Sequence, residues 1–220
     1  MKNKKRGRWT DILNLLLVII IPFIFGTISR FIPSSENRIL AYIIFFSIYI
    51  TSFLIILGLL KITGTRFSEF GFSFKKLGRT ILIALGFILL GFLSSLIISI
   101  FSPAVPSAVE ESIEPMKIDI YYFLMQFLYS FILVALIEDM ERTLIFLKAE
   151  KLFGVYGAYF FSALAFGLAH VYVGVSAMVT AFTGGLLLNL LWLIRKRNLL
   201  PVVVAHGGYD FILDWIRDSS

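Results

Sequence analysis

The chain of 220 residues contains no cysteine, and this absence excludes several kinds of site. Without a thiol there is no disulfide framework, no cysteine nucleophile, no thiolate metal site and no lipid-modified cysteine. Charged residues are also scarce, at 15% of the chain, and histidine occurs only twice, at His170 and His206. Acid–base chemistry in this protein must therefore depend on a small number of ionisable side chains.

The sequence is rich instead in apolar residues, which make up 59% of the chain and include 23 Phe. A predominantly apolar run of about 20 residues is long enough to cross a hydrocarbon core of roughly 30 Å as a helix. We therefore expect an all-α, polytopic membrane helical bundle of about seven (seven to eight) transmembrane helices. The seven predicted spans are 11–29, 39–60, 80–101, 121–146, 154–172, 175–194 and 199–216.

The basic residues predict the orientation of this bundle. Fifteen of the 20 Lys and Arg lie in alternate connections, at 1–10, 61–79, 147–153 and 195–198. By the positive-inside rule these connections and the N-terminus are cytoplasmic, in a multi-pass protein of the cell membrane. The net charge of +6 is then accounted for by topology, and no nucleic-acid partner is needed to explain it.

An acidic, proline-containing connection at 102–120 divides the chain into two parts. Residues 1–119 are predicted to form a scaffold of spans one to three with this acidic loop, and residues 120–216 a core of spans four to seven. The basic N-terminus and the apolar run 13–25 have the shape of a secretory signal, but 26–30 offers no convincing small-x-small cleavage site. We expect this segment to remain as the first span.

The fourth span carries the first cluster of ionisable residues. Glu138, Glu141 and Arg142 stand at i, i+3 and i+4 and so share one helical face, whereas Asp139 points about 100° away from Glu138. Ionisable groups within a membrane span are costly and usually mark a functional site. The alternative is that the span ends near residue 137 and the cluster is a solvated helix end.

The two histidines lie on later spans. If an antiparallel hairpin turns near residue 152, His170 on the fifth span lies level with Glu138, within roughly 6 Å along the helix axis. On the seventh span, His206 and Asp210 stand at i and i+4, beside two glycines that permit close helix approach. Each histidine has a simpler interpretation, His170 as an interhelical hydrogen-bonding residue and His206 as half of a local ion pair with Asp210.

Metal chemistry is a weaker interpretation of the same residues. A zinc protease helix with the pattern His-Glu-x-x-His is absent from the sequence. We expect no cofactor; the alternative is a Zn²⁺ ion held by Glu138, His170 and His206, with Asp210 as a further ligand.

Taken together, the three segments resemble the CAAX prenyl proteases of the Ras-converting-enzyme type and the related Abi-like bacteriocin-processing and self-immunity proteins. The signature of that family is Glu-Glu-x-x-x-Arg, then Phe-x-x-x-His, then His-x-x-x-Asn or Asp. Here 166–170 matches the second motif and 206–210 the third, and the resemblance covers about residues 120–215.

The first motif departs from the family pattern. If Arg142 is the motif arginine, Glu138 occupies the second acidic position, and Ile137 stands where the family places its water-activating glutamate. Taking Glu138 and Asp139 as the acidic pair instead leaves Arg142 one residue early, which an α-helix accommodates only with a bulge.

The resemblance implies roles for these residues. His170 and a glutamate, Glu138 or its substitute Glu141, would activate a water, and His206 would donate to the oxyanion. Asp210 would position His206, and Arg142 would hold an acidic side chain ionised. The implied activity is an intramembrane endopeptidase that cleaves a membrane-presented peptide or protein C-terminus, with or without an attached lipid. The implied partners are this substrate and membrane lipid. The alternative is a catalytically impaired member that acts as a bacteriocin-immunity or membrane regulatory protein.

Overall fold

The structure is a computed structural model and describes residues 2–29, 38–101 and 120–219. The α-helices in these ranges are α1 (Lys2–Ser29), α2 (Arg38–Ile62), α3 (Leu77–Phe101), α4 (Ile120–Phe127), α5 (Leu136–Leu168), α6 (Val175–Ile194) and α7 (Leu200–Ser219). Short 3₁₀ turns occur at Phe67–Phe70 and Val171–Val173, and these described ranges contain no strand. The predicted all-α membrane bundle is confirmed. The predicted acidic loop, 102–119, lies outside the described residues.

The fourth and fifth predicted spans are formed by one long helical stretch that bends back on itself. A π-helical segment, Leu128–Ala135, joins α4 to α5 without interruption. Gly154 then interrupts α5 with φ of 70° and ψ of 179°, a left-handed φ that glycine adopts without steric cost. Residues 137–145 and 165–170 line the same cavity, so the two halves of α5 lie side by side. The predicted hairpin turn therefore forms two residues beyond its expected position.

Among the described residues, four stretches are long and apolar enough to cross a membrane: Gly7–Ile28, Leu77–Ile100, Phe123–Val173 and Val175–Ile194. The third has 51 residues, about twice what one crossing requires, and the break at Gly154 divides it. Large apolar side chains are exposed along the outer faces, for example Leu82 and Leu89 on α3. An apolar exterior of this extent is what lipid contact requires. The chain is an integral membrane protein, and the count of seven spans stays a prediction.

Three of the predicted basic connections meet at one end of the bundle. The Lys148 ammonium donates to the carbonyl of Thr63 at 3.0 Å, and Arg197 donates to Glu150 at 2.9 Å. The indole of Trp192 donates to the carbonyl of Phe70 at 3.0 Å. These contacts place the connections on the same side of the bundle, as the alternating charge pattern predicted.

Close approach between the π-helical segment and α7 depends on a glycine. A Cβ atom on Gly207 would lie 2.8 Å from the ring of Phe131 and 3.0 Å from its Cα. The neighbouring residue is His206, so this close contact lies directly beside a predicted site residue.

We predict that Gly207→Ala lowers the free energy of unfolding by about 1–3 kcal/mol, because the added methyl group overpacks the contact with Phe131. Gly184→Ala on α6 is the matched control, since a Cβ there meets nothing within 4 Å. Thermal or denaturant unfolding in detergent measures both variants. Equal stability of the two variants would contradict the predicted packing.

Candidate active site

The candidate site residues come from three helical segments that converge inside the bundle. The acidic cluster begins α5 directly after the π-helical segment, so Glu138 and Asp139 lie in its first turn. His170 follows the end of α5, and its backbone N–H bonds to the carbonyl of Gly167 at 2.9 Å. His206 and Asp210 lie one turn apart on α7.

A buried ion pair forms the centre of the site. Asp139 Oδ1 accepts from Arg142 Nη2 at 3.0 Å, and the side chains of both residues are 0% exposed. The other terminal nitrogen of Arg142, Nη1, donates to Oδ1 of Asn189 on α6. An ion pair removed from water is tolerated only when further hydrogen bonds satisfy its members, and Asn189 supplies one such bond.

Three carboxylates surround the imidazole of His206. Its Nδ1 lies 3.4 Å from Asp139 Oδ2, and its Nε2 lies 3.4 Å from Asp210 Oδ2 and 4.0 Å from Glu138 Oε2. The His206 side chain is only 11% exposed. Its orientation is therefore set from both ring nitrogens by acidic groups on α5 and α7.

His170 is oriented by its own helix. Its Nδ1 lies 2.8 Å from the carbonyl oxygen of Phe166. Because a carbonyl can only accept, Nδ1 carries the proton and the neutral ring has its lone pair on Nε2. The Phe166 ring stands edge-on to both imidazoles, at 4.9 Å from that of His170 and 6.1 Å from that of His206. Phe166 thus separates and supports the two histidines.

Two cavities border His170. One, of about 430 Å³, is lined by α1, α2 and α5 and includes Glu138, Glu141, Arg142 and His170. The other, of about 640 Å³, is lined by α3, α6 and α7 and includes His170, His206 and Asp210. The His170 side chain therefore borders both the cavity that contains the acidic residues and the cavity that contains the second histidine.

All six predicted site residues line one or both of these cavities: Glu138, Glu141, Arg142, His170, His206 and Asp210. Their roles remain predictions. Asp210 contacts His206 as expected, but Arg142 pairs with Asp139 and not with Glu138. In the part of the chain that the structure describes, no group of three or more His, Asp or Glu side chains is arranged to hold a metal ion.

Two polar residues of the site were not among the predicted site residues. Asp139 entered the sequence analysis only as the alternative second member of the acidic pair, although its i, i+3 spacing to Arg142 permits a contact as readily as i, i+4. Asn189 is the one carboxamide in the apolar run of α6, and that polar side chain within a predicted span was the signal that could have identified it.

The fold and the site together define a helical integral membrane protein with a buried carboxylate–histidine centre. Residues 120–212 match the family model described as type II CAAX prenyl endopeptidase Rce1-like. That match contains every site residue named above, and it confirms the resemblance to the CAAX protease family over this part of the chain. No curated protein and no solved structure matches the chain. The family that this part of the chain matches is described as one of endopeptidases, enzymes that act on peptide or protein substrates.

We predict that Arg142→Met destabilises the protein by about 3–5 kcal/mol, because it leaves the buried Asp139 carboxylate without its counter-charge. Glu150→Gln breaks an ion pair that is 40% and 25% exposed and serves as the control, with an expected cost of about 1 kcal/mol or less. Unfolding monitored by circular dichroism compares the two. Costs of similar size would contradict a central role for the Asp139–Arg142 pair.

Proposed function

We propose that this protein is an intramembrane endopeptidase in which Glu138 and His170 activate a water that attacks a peptide carbonyl. The observation that carries the proposal is that the Glu138 carboxylate and the His170 imidazole line one cavity. The hydrogen bond to Phe166 leaves the lone pair of His170 Nε2 able to accept a proton from that water. The Glu138 side chain is 29% exposed, so it remains accessible to water and substrate.

His206 takes the second role in this mechanism. Its Nε2 faces the Asp210 and Glu138 carboxylates at 3.4 and 4.0 Å, and as a donor it would stabilise the negative charge that develops on the substrate oxygen. Asp139, on the opposite ring nitrogen, holds the imidazole in place. Arg142 acts through Asp139 and does not contact His206 in this assignment.

The geometry supports Glu138 and Asp139 as the acidic pair of the first motif. Asp139 and Arg142 stand at i and i+3 within regular helix and form an ion pair there, so no bulge is needed between them. The π-helical segment lies before the pair, where its extra residue per turn changes the rotation of α5 relative to α4. Glu138 then occupies the water-activating position, and Ile137 packs in the apolar core at 6% exposure.

The substrate we propose is a peptide or protein C-terminus presented from the membrane, with or without an attached lipid. Residues 120–216 form the catalytic core, and the helices before residue 102 supply walls. For example, Tyr49 and Ser52 of α2 line the cavity that holds Glu138. The mechanism uses no metal or other cofactor. We propose a cytoplasmic N-terminus in the cell membrane, because the basic connections gather at one end of the bundle.

We predict that Glu138→Gln and His170→Ala each reduce cleavage by about 10²–10⁴-fold, because each removes a group needed for general-base catalysis. The assay uses purified protein in nanodiscs with C-terminal peptides, both lipidated and unmodified. Glu69→Gln is the control, since that carboxylate lies in the Phe67–Phe70 turn, away from both cavities.

Equal cleavage by the wild type and both site variants would overturn the proposed activity. If the His170→Ala, His206→Ala double variant then kept the full biological role of the protein, a non-catalytic immunity or regulatory function would replace the proposed peptidase activity.

We predict that Ile137→Glu lowers stability and does not raise the cleavage rate. The substitution places a carboxylate among buried apolar side chains, at a cost of roughly 1–3 kcal/mol or more. Ile137→Val is the matched control and should cost about 0.5–1.5 kcal/mol. Cleavage per folded molecule is compared for the three proteins. A rise of tenfold in the glutamate variant would show that position 137, and not 138, belongs to the water-activating group.

A further inference from the structure

Asn189 is a fully buried polar residue in the C-terminal half of α6, at 0% exposure. A carboxamide in an apolar helix lowers stability unless its donors and acceptor are satisfied. Asn189 uses all of them: Oδ1 accepts from Arg142 Nη1, and Nδ2 donates to Ser162 Oγ at 2.8 Å and to the carbonyl of Tyr159 at 2.9 Å. Its side chain is therefore held in a single orientation.

This orientation is transmitted to the guanidinium of Arg142. A guanidinium is planar, so fixing Nη1 against Asn189 also fixes the direction in which Nη2 points. Nη2 donates to Asp139 Oδ1 at 3.0 Å. With α6 bonded to both halves of α5 through Asn189, the ion pair cannot rotate independently of the helices around it.

Asp139 then faces His206 with its second oxygen. The distance from Asp139 Oδ2 to His206 Nδ1 is 3.4 Å, and both atoms are buried. Hydrogen bonds thus link Ser162, Asn189, Arg142 and Asp139, and an ion-pair contact at 3.4 Å continues from Asp139 to His206.

We propose that Asn189 is a positioning residue that sets the orientation of the His206 imidazole through Arg142 and Asp139. Asn189 does not touch the cavities that would hold substrate. The inference rests on the proposed function for its effect on catalysis, but the orientation of His206 can be measured without any substrate.

A simpler role is that Asn189 only joins α5 to α6. The two roles differ in which variant disturbs His206. Asn189→Leu removes the bond to Arg142 and both donor bonds. Ser162→Ala removes one donor bond and leaves the contact between Asn189 and Arg142 intact, so it is the matched control.

The experiment uses the imidazole ¹⁵N signals of the full chain in nanodiscs, which are simple to assign because the sequence has only two histidines. We expect Asn189→Leu to shift the His206 signals while those of His170 stay in place, and Ser162→Ala to leave both unchanged. In the cleavage assay, Asn189→Leu should lower kcat by about tenfold to a hundredfold with little change in KM. Asn189→Asp keeps an oxygen toward Arg142, so its His206 ¹⁵N signals should lie closer to their wild-type positions than those of Asn189→Leu.

Unchanged His206 signals in Asn189→Leu, or equal shifts in Asn189→Leu and Ser162→Ala, would overturn the positioning role. If the leucine variant does not fold, Asn189→Ala is measured in the same way and judged by the same outcomes. A wild-type protein that cleaves no peptide would count against the proposed function alone, because the ¹⁵N signals still report on Asn189.

Discussion

The buried pair of Asp139 and Arg142 is the interaction on which the rest of the site depends. Two charges removed from water are stabilised by their mutual attraction and by further hydrogen bonds, and here both side chains are completely enclosed. Arg142 reaches α6 through Asn189, and Asp139 reaches α7 through His206. The need to satisfy one ion pair therefore brings three helices into a defined arrangement.

Around this pair the backbone brings the candidate site residues together. Gly154 turns α5 back so that Glu138 and His170 share a cavity, and Gly207 lets α7 lie against Phe131 of the π-helical segment. The ring of Phe166 then contacts both imidazoles in T-shaped geometry. Each of these features follows from a small residue or an aromatic ring at a position where helices come close together.

Much of the architecture could be predicted because it follows from local pattern. Apolar runs of bilayer length predicted the helices, and similar distances from a turn near residue 152 predicted that Glu138 and His170 would lie at similar depth. His206 and Asp210 were paired correctly, since i and i+4 positions meet on any helix. The partner of Arg142 could not be predicted, because Glu138 and Asp139 are both within reach along the helix.

The sequence by itself determined that this is a helical membrane protein whose few ionisable residues, in three separate segments, resemble a CAAX protease site. Hydrophobicity and spacing are properties of the chain, so they can be read without coordinates. Only the tertiary structure decided that Arg142 turns to Asp139, that Asn189 completes the pair and that Ile137 packs in the core. These three side-chain placements depend on which groups are buried together. The packing of α5 against α6 and α7 decides which groups those are.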